Sequence, residues 1–259
     1  MKTALLVVSF GTTHLDTLEK TIQATENTLA AVFPEYAVYR AFTSGVVRKR
    51  LMSKYEISVD SVEEALARIS RDGFDAVIVL PTLLIPGEEY DKLHASVSAA
   101  AGMMQVSVCK PLLHCEKDLD DIIRILHEAY PTADDTVLLL MGHGTEHSAN
   151  NLYIQLAEKM RSYAGSKIRL CTVEGTPSFE DALEELVQMP QRKVHLAPLL
   201  FVAGDHAKND MAGDEPDSLR SLLEEKGFCA ECRLQGLGEI RAIQEMYVSR
   251  VEVSKLGKE

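Results

Sequence analysis

Two stretches of this chain repeat one pattern: ALLVVSFGTTH, Ala4 to His14, and VLLLMGHGTEH, Val137 to His147. Each opens with an unbroken apolar run, as a strand covered on both faces of a parallel sheet requires. Each then ends in a short polar loop. In open parallel α/β sheets, ligands bind at that C-terminal strand edge. In the second stretch His143 sits between Gly142 and Gly144, whose small size leaves an imidazole open from above; Phe10 takes its place in the first.

Between and beyond these stretches, short apolar runs alternate with helical patterns, the signature of a parallel α/β architecture. Strands are expected at Ala4 to Ser9, Ala37 to Phe42, Ala76 to Leu80 and Gln105 to Cys109. The order then starts again, with strands at Thr136 to Met141, Lys167 to Val173, Lys193 to Ala197 and Phe228 to Leu234. Helices fill the intervals, among them Asp16 to Val32, one reaching Ala101, Asp118 to Ala129, Ser148 to Tyr163, one reaching Lys226, and a closing helix from Ile240 to Val251. Ser61 followed by Glu64, ahead of the apolar stripe Val62, Ala65, Leu66 and Ile69, reads as a capping box. The expected fold is therefore two similar lobes, each a four-stranded parallel sheet flanked by helices. The expected division is residues 1–131 and 132–259, at the loop Pro131 to Asp135.

The repeat lays three strand-end loops on one another. Phe10 matches His143, Ser44 matches Glu174, and PTLLIPGEE (Pro81 to Glu89) matches PLLFVAGDH (Pro198 to His206), which sets Glu89 on His206. The second half thus offers two imidazoles and a carboxylate on one sheet edge, an N,N,O set that borderline divalent metals accept with positions left open. Singly, each residue has an ordinary explanation. A histidine after a strand more often makes hydrogen bonds than ligates, Glu174 could cap the helix after it, and His206 could simply start a helix. Their fall on equivalent loops favours the joint reading. His147, four residues after His143, is the rival ligand.

A formal net charge of −12 argues against a nucleic-acid partner or an anionic membrane surface, and no apolar run approaches the ~20 residues of a membrane span. The start, MKTALLVVSF, lacks an A-x-A-like cleavage site and reads as the first strand, so the expected location is the cytoplasm. There is no phosphate-binding G-x-x-x-x-G-K-[ST] and no G-x-S-x-G elbow, so neither ATP nor another nucleotide is expected. Five cysteines suggest reduced thiols; Cys229 and Cys232 form a lone C-x-x-C in an expected strand, for which a structural role is favoured.

At LLVVSFGTTHLDT (Leu5 to Thr17), RAFTSG (Arg40 to Gly45), MGHGTEH (Met141 to His147) and LFVAGDHAKNDMAGDE (Leu200 to Glu215), the chain resembles the class II tetrapyrrole chelatases over essentially its whole length. The resemblance implies a two-lobed, ATP-independent enzyme of anaerobic cobalamin biosynthesis. It would insert a divalent metal, Co2+ first and Fe2+ or Ni2+ as alternatives, into sirohydrochlorin or a close precorrin. It implies that His143 and His206 are catalytic and metal-binding and that Glu174 completes the metal site. The macrocycle is expected in a cleft between the lobes, against Phe10, Gly11, Thr12, Ser44, Leu84, Glu89 and Leu200. Arg48, Lys49, Arg50, Lys92 and Lys208 are candidate partners for its carboxylates. A homo-oligomer is compatible with the sequence. The alternatives are a metal or tetrapyrrole carrier without turnover, and a hydrolase using a metal-bound water with Glu146 or Asp205 as its base.

Overall fold

The computed structural model describes residues 2–99, 102, 104–163 and 167–255. Its elements, in chain order, begin with β1 (Thr3–Ser9), α1 (Leu15–Leu18), a π-helical turn (Glu19–Gln23), α2 (Ala24–Val32), β2 (Ala37–Phe42), α3 (Gly45–Tyr55) and α4 (Val62–Arg71). The first array ends with β3 (Ala76–Pro81), α5 (Glu88–Ala99), β4 (Gln105–Val108) and α6 (Glu116–Ala129). The second runs β5 (Thr136–Gly142), a 3-10 turn (Ser148–Asn150), α7 (Asn151–Ser162), β6 (Ile168–Thr172), α8 (Phe179–Gln188) and β7 (Lys193–Pro198). It closes with a π-helical turn (Ala207–Met211), α9 (Leu219–Glu225), β8 (Cys229–Cys232), a 3-10 turn (Leu237–Glu239) and α10 (Arg241–Lys255).

The strands form two four-stranded parallel sheets, ordered β2-β1-β3-β4 and β6-β5-β7-β8. The same order in both bears out the repeat. The central strands are the apolar runs. Leu5 to Val8 and Leu139 to Met141 expose no surface, because helices cover both faces of each sheet. In the first sheet Leu6, Val8 and Val79 pack with Leu66 and Ile69 of α4. In the second, Leu139, Met141 and Leu196 pack with Leu186 of α8 and Leu223 of α9. Removing one such side chain to Ala costs about 2–5 kcal/mol.

Register carries the repeat to single residues. Val8 pairs with Pro81 and Ser9 with Phe42; Met141 pairs with Pro198 and Gly142 with Thr172. Phe10 and His143 are therefore the first residues beyond equivalent strand ends. The loops keep the equivalence. Thr12 Oγ1 accepts the His14 N–H at 3.1 Å, and Thr145 Oγ1 accepts the His147 N–H at 3.1 Å.

The compact units do not follow halves divided at Pro131. One comprises Met1–His114 with Arg241–Glu259, and the other Cys115–Ile240. The last helix of each array is exchanged. Helix α6 packs against α7, and α10 packs against α2 and β3. Among the bonds that hold α10 in the first unit, the Thr28 hydroxyl donates to Gln244 Oε1 at 2.7 Å, and Arg250 donates to the Leu112 carbonyl at 2.9 Å.

Two helices differ from expectation. The helix expected from Ser148 begins as the 3-10 turn, and α7 starts at Asn151. The long helix to Lys226 is broken after Met211, where Gly213 and Pro216 interrupt it and Ser218 caps α9 afresh. The reach of α5 to Ala101 lies outside the described residues. The capping box at Ser61 and Glu64 is present. Among the described residues, no helix is long and apolar enough to cross a membrane.

Candidate metal centre

His143 leaves the end of β5 on an exposed loop, and His206 begins the helical turn that follows the β7 loop. Their rings face each other edge to face with centroids 4.9 Å apart. The Nδ1 of each is already engaged. That of His143 lies 2.9 Å from the Gly144 carbonyl, and that of His206 lies 2.5 Å from Asp210 Oδ2. A carbonyl and a carboxylate accept, so each Nδ1 carries the hydrogen, and in the neutral ring each Nε2 keeps its lone pair. Two imidazoles in that state suit a borderline dication.

The glycines beside His143 do more than leave room. A Cβ on Gly142 would meet Tyr153 Cε1 at 2.7 Å. Gly144 has φ +77°, and a Cβ there would come within 1.9 Å of the Glu174 carbonyl oxygen. That approach belongs to a backbone tie, the Glu174 N–H donating to the His143 carbonyl at 2.7 Å. Tyr153 of α7 supports the loop from below. It is buried, and its phenol lies beside the backbone of Gly144 and His143. Burial outweighs those backbone contacts and pushes the phenol up to about 12. Asn150 ties the neighbouring loops, accepting the Thr145 N–H at 3.2 Å and donating to the Thr176 carbonyl at 2.9 Å.

The backbone of Glu174 is beside His143, yet its exposed carboxylate stands apart. Among the described residues, the donor atoms of His143, Glu174 and His206 do not all lie within 4.8 Å of one another. The rival His147 is spent locally, its Nδ1 accepting the Ala149 N–H at 3.1 Å to cap the 3-10 turn. Tyr153, Asn150 and Asp210 were not singled out by sequence. For Asp210 a signal existed, since it follows His206 by four residues in a helix-forming stretch. Tyr153 and Asn150 gave none.

In the first unit, Phe10 is 51% exposed at the strand edge, an unusual setting for a phenylalanine. Gly11 turns the chain with φ +101° against the Phe42 ring, and buried Thr12 makes the turn to His14. Ser44 caps α3, its Oγ accepting the Val47 N–H at 3.3 Å, and its own N–H donates to the Phe10 carbonyl at 3.2 Å. Leu84 is half-buried, and its carbonyl accepts the Leu113 N–H. Glu89 opens α5 and pairs with Lys92 at 2.8 Å. In the second unit, half-buried Leu200 packs on the core. Of the basic candidates, Arg48 pairs with Glu64 at 2.8 Å, while Lys49 and Arg50 are exposed on α3. Cys229 and Cys232 lie in β8 as free thiols; burial pushes the Cys232 thiol up, away from the reactive thiolate.

A family model described as cobalt chelatase (CbiK) matches residues 3–255. The chain is 36% identical over 253 residues to the sirohydrochlorin cobaltochelatase of Salmonella typhimurium, covering 97% of this chain and 96% of that protein. It is 31% identical over 255 residues to the sirohydrochlorin cobaltochelatase CbiKC of Nitratidesulfovibrio vulgaris, covering 96% of this chain and 89% of the other. Among solved structures, SirB from Bacillus subtilis with Fe3+ matches at a TM-score of 0.67 and 15% identity, over 98% of this chain and 96% of that one. That likeness concerns the fold alone. The match over nearly the whole length, with relatives above 30% identity, places the chain in the cobalt chelatase (CbiK) family.

Proposed function

We propose that this chain inserts Co2+ into sirohydrochlorin without ATP, exchanging two pyrrole N–H protons for the ion. The pair of facing imidazoles carries the reading. Both offer a free Nε2 lone pair, and both stand at a strand edge open to a ligand. Their first task is to hold a partly dehydrated dication. Their second follows as the ion passes to the macrocycle, when the freed nitrogens accept the pyrrole protons. Each proton that leaves a pyrrole nitrogen is thus taken by a base that has just lost its metal.

Glu174 supplies the third donor. Its backbone is fixed beside His143 while its carboxylate is free to swing, so a rotamer change brings negative charge to the ion. Phe10, Gly11, Thr12, Ser44, Leu84, Glu89 and Leu200 are assigned to the macrocycle, with exposed Phe10 offering an aromatic face. The family and the names of the relatives favour Co2+; Fe2+ and Ni2+ are the metals to test beside it.

The test mixes a catalytic amount of protein with sirohydrochlorin and Co2+ and follows the macrocycle absorption spectrum. Parallel runs use Fe2+ and Ni2+, with no nucleotide present. Many turnovers per protein, fastest with Co2+, are expected. A change that stops at one equivalent would mean a carrier and overturn the proposal.

A further inference from the structure

The two imidazoles are not held alike. His143 Nδ1 bonds a neutral backbone carbonyl one residue away, whereas His206 Nδ1 bonds a carboxylate at 2.5 Å. The carboxylate is placed by the backbone. After His206 the chain makes a π-helical turn, Ala207–Met211, closed by the Ala212 N–H donating to the Ala207 carbonyl at 3.2 Å. One wide turn sets residue 210 over residue 206. Ala207 and Met211 are buried, so the turn is anchored in the second unit, while Asp210 and His206 keep partial exposure. π-Helical turns concentrate at functional sites, because an inserted residue costs regular hydrogen bonding and persists only where it re-aims a side chain.

We propose that Asp210 is a positioning residue that makes His206 the stronger metal donor of the pair. A charge-assisted hydrogen bond to Nδ1–H fixes the tautomer and ring orientation. It also returns electron density to the ring, so Nε2 binds a cation more tightly than an imidazole held by a neutral carbonyl. His206 is then the anchor that loads the ion first, and His143, with the weaker partner, is the donor that releases it more readily to the macrocycle. The order of loading rests on the chelatase reading; the tautomer and the metal affinity do not.

The experiment therefore uses the full-length protein without macrocycle. Histidines labelled with 15N report, through long-range proton–nitrogen spectra, which ring nitrogen of His206 bears hydrogen; the His206→Ala variant assigns the signal. The unaltered protein and D210N, whose amide oxygen still accepts, are expected to show Nδ1–H. D210A should move a large fraction to the other tautomer. Titration with Co2+ alone, followed by its d–d absorption, should show affinity falling 10–100-fold in D210A and by less in D210N. Circular dichroism checks folding, and D210N keeps the test open if D210A unfolds. An unchanged tautomer with unchanged Co2+ affinity in both variants would overturn the assignment. Absence of turnover by the unaltered protein in the separate sirohydrochlorin assay would instead strike the chelatase reading and leave the Asp210 assignment in place.

Discussion

Glu174 donates its backbone N–H to the carbonyl of His143 at 2.7 Å, and Ser44 does the same to Phe10 at 3.2 Å in the other sheet. This tie joins the ends of two neighbouring parallel strands just above the sheet. In the second unit it brings a metal-binding residue type against another, and it works only because Gly144 lies under the Glu174 carbonyl.

Gly144→Ala should therefore damage both stability and chemistry. Its φ of +77° is strained for any side chain, and the added Cβ would sit 1.9 Å from backbone oxygen, which has little freedom to move. A stability loss of about 2–4 kcal/mol is expected, with Co2+ affinity and turnover reduced at least about tenfold. Gly73→Ala is the control, with the same φ of +77° but open space around its Cβ. It should cost about 1 kcal/mol in backbone strain and leave turnover unchanged. Equal losses of turnover in the two variants, measured beside urea unfolding, would refute the role given to the contact.

His143→Ala and His206→Ala should each lower turnover by about 100-fold or more, the usual scale for a proton acceptor that is also a ligand. Binding of sirohydrochlorin, read by fluorescence titration, should change little, because other side chains are assigned to hold the macrocycle. Glu174→Gln keeps shape but loses charge, so weaker Co2+ binding with residual turnover is expected, a smaller defect than either histidine change. Near-normal rates in both alanine variants would end the assignment.

The parts of this site on strand ends are readable in sequence, because buried parallel strands appear as unbroken apolar runs such as Leu5 to Val8 and Leu139 to Met141. Aligning those runs sets Phe10 on His143 and Ser44 on Glu174 without any structure. The supports are not readable. Tyr153 reaches His143 only because α7 packs over β6, and no local pattern states which loop a buried aromatic will meet. The exchange of α6 and α10 is hidden for the same reason. Their apolar stripes say that a face is buried, not on which sheet, so a boundary at Pro131 follows loop composition while the compact units follow packing. The break after Met211 is legible in Gly213 and Pro216, but nothing in the stretch around His206 marks the π-helical turn that follows it.

The paired thiols of β8 give a negative prediction. Cys229 and Cys232 are free and three residues apart on an extended strand, so their side chains leave opposite faces. Replacing both with serine should leave turnover within about twofold and cost no more than about 1 kcal/mol, mainly at half-buried Cys232. A collapse of turnover with the fold intact would show a redox or metal role for the pair.

Tyr153 links stability to pH in a direction that can be worked out. Burial raises its phenol to about 12 in the folded chain, against an ordinary value of about 10 for an exposed tyrosine. A raised folded value means the folded state holds the proton more tightly than the unfolded state. The associated stability is then fully present below about pH 10 and is lost as pH climbs towards 12. Over that window the loss is on the order of 2–3 kcal/mol, at about 1.4 kcal/mol per pH unit. Tyr39 and Tyr130, also raised to about 12, add to the same alkaline decline. Tyr153→Phe removes one titrating group and the hydroxyl that lies beside the His143 and Gly144 backbone. Near pH 8 the variant should be about 1–2 kcal/mol less stable than the parent, the scale of losing one buried polar contact. Above pH 10 its stability should fall less steeply, by close to one proton's share, so the two curves meet and cross between about pH 11 and 12. Urea unfolding at half-unit steps from pH 8 to 12 measures both features. Parallel curves, with a constant gap and equal slope, would mean that Tyr153 does not titrate with unfolding and that its phenol is not the buried support of the His143 loop.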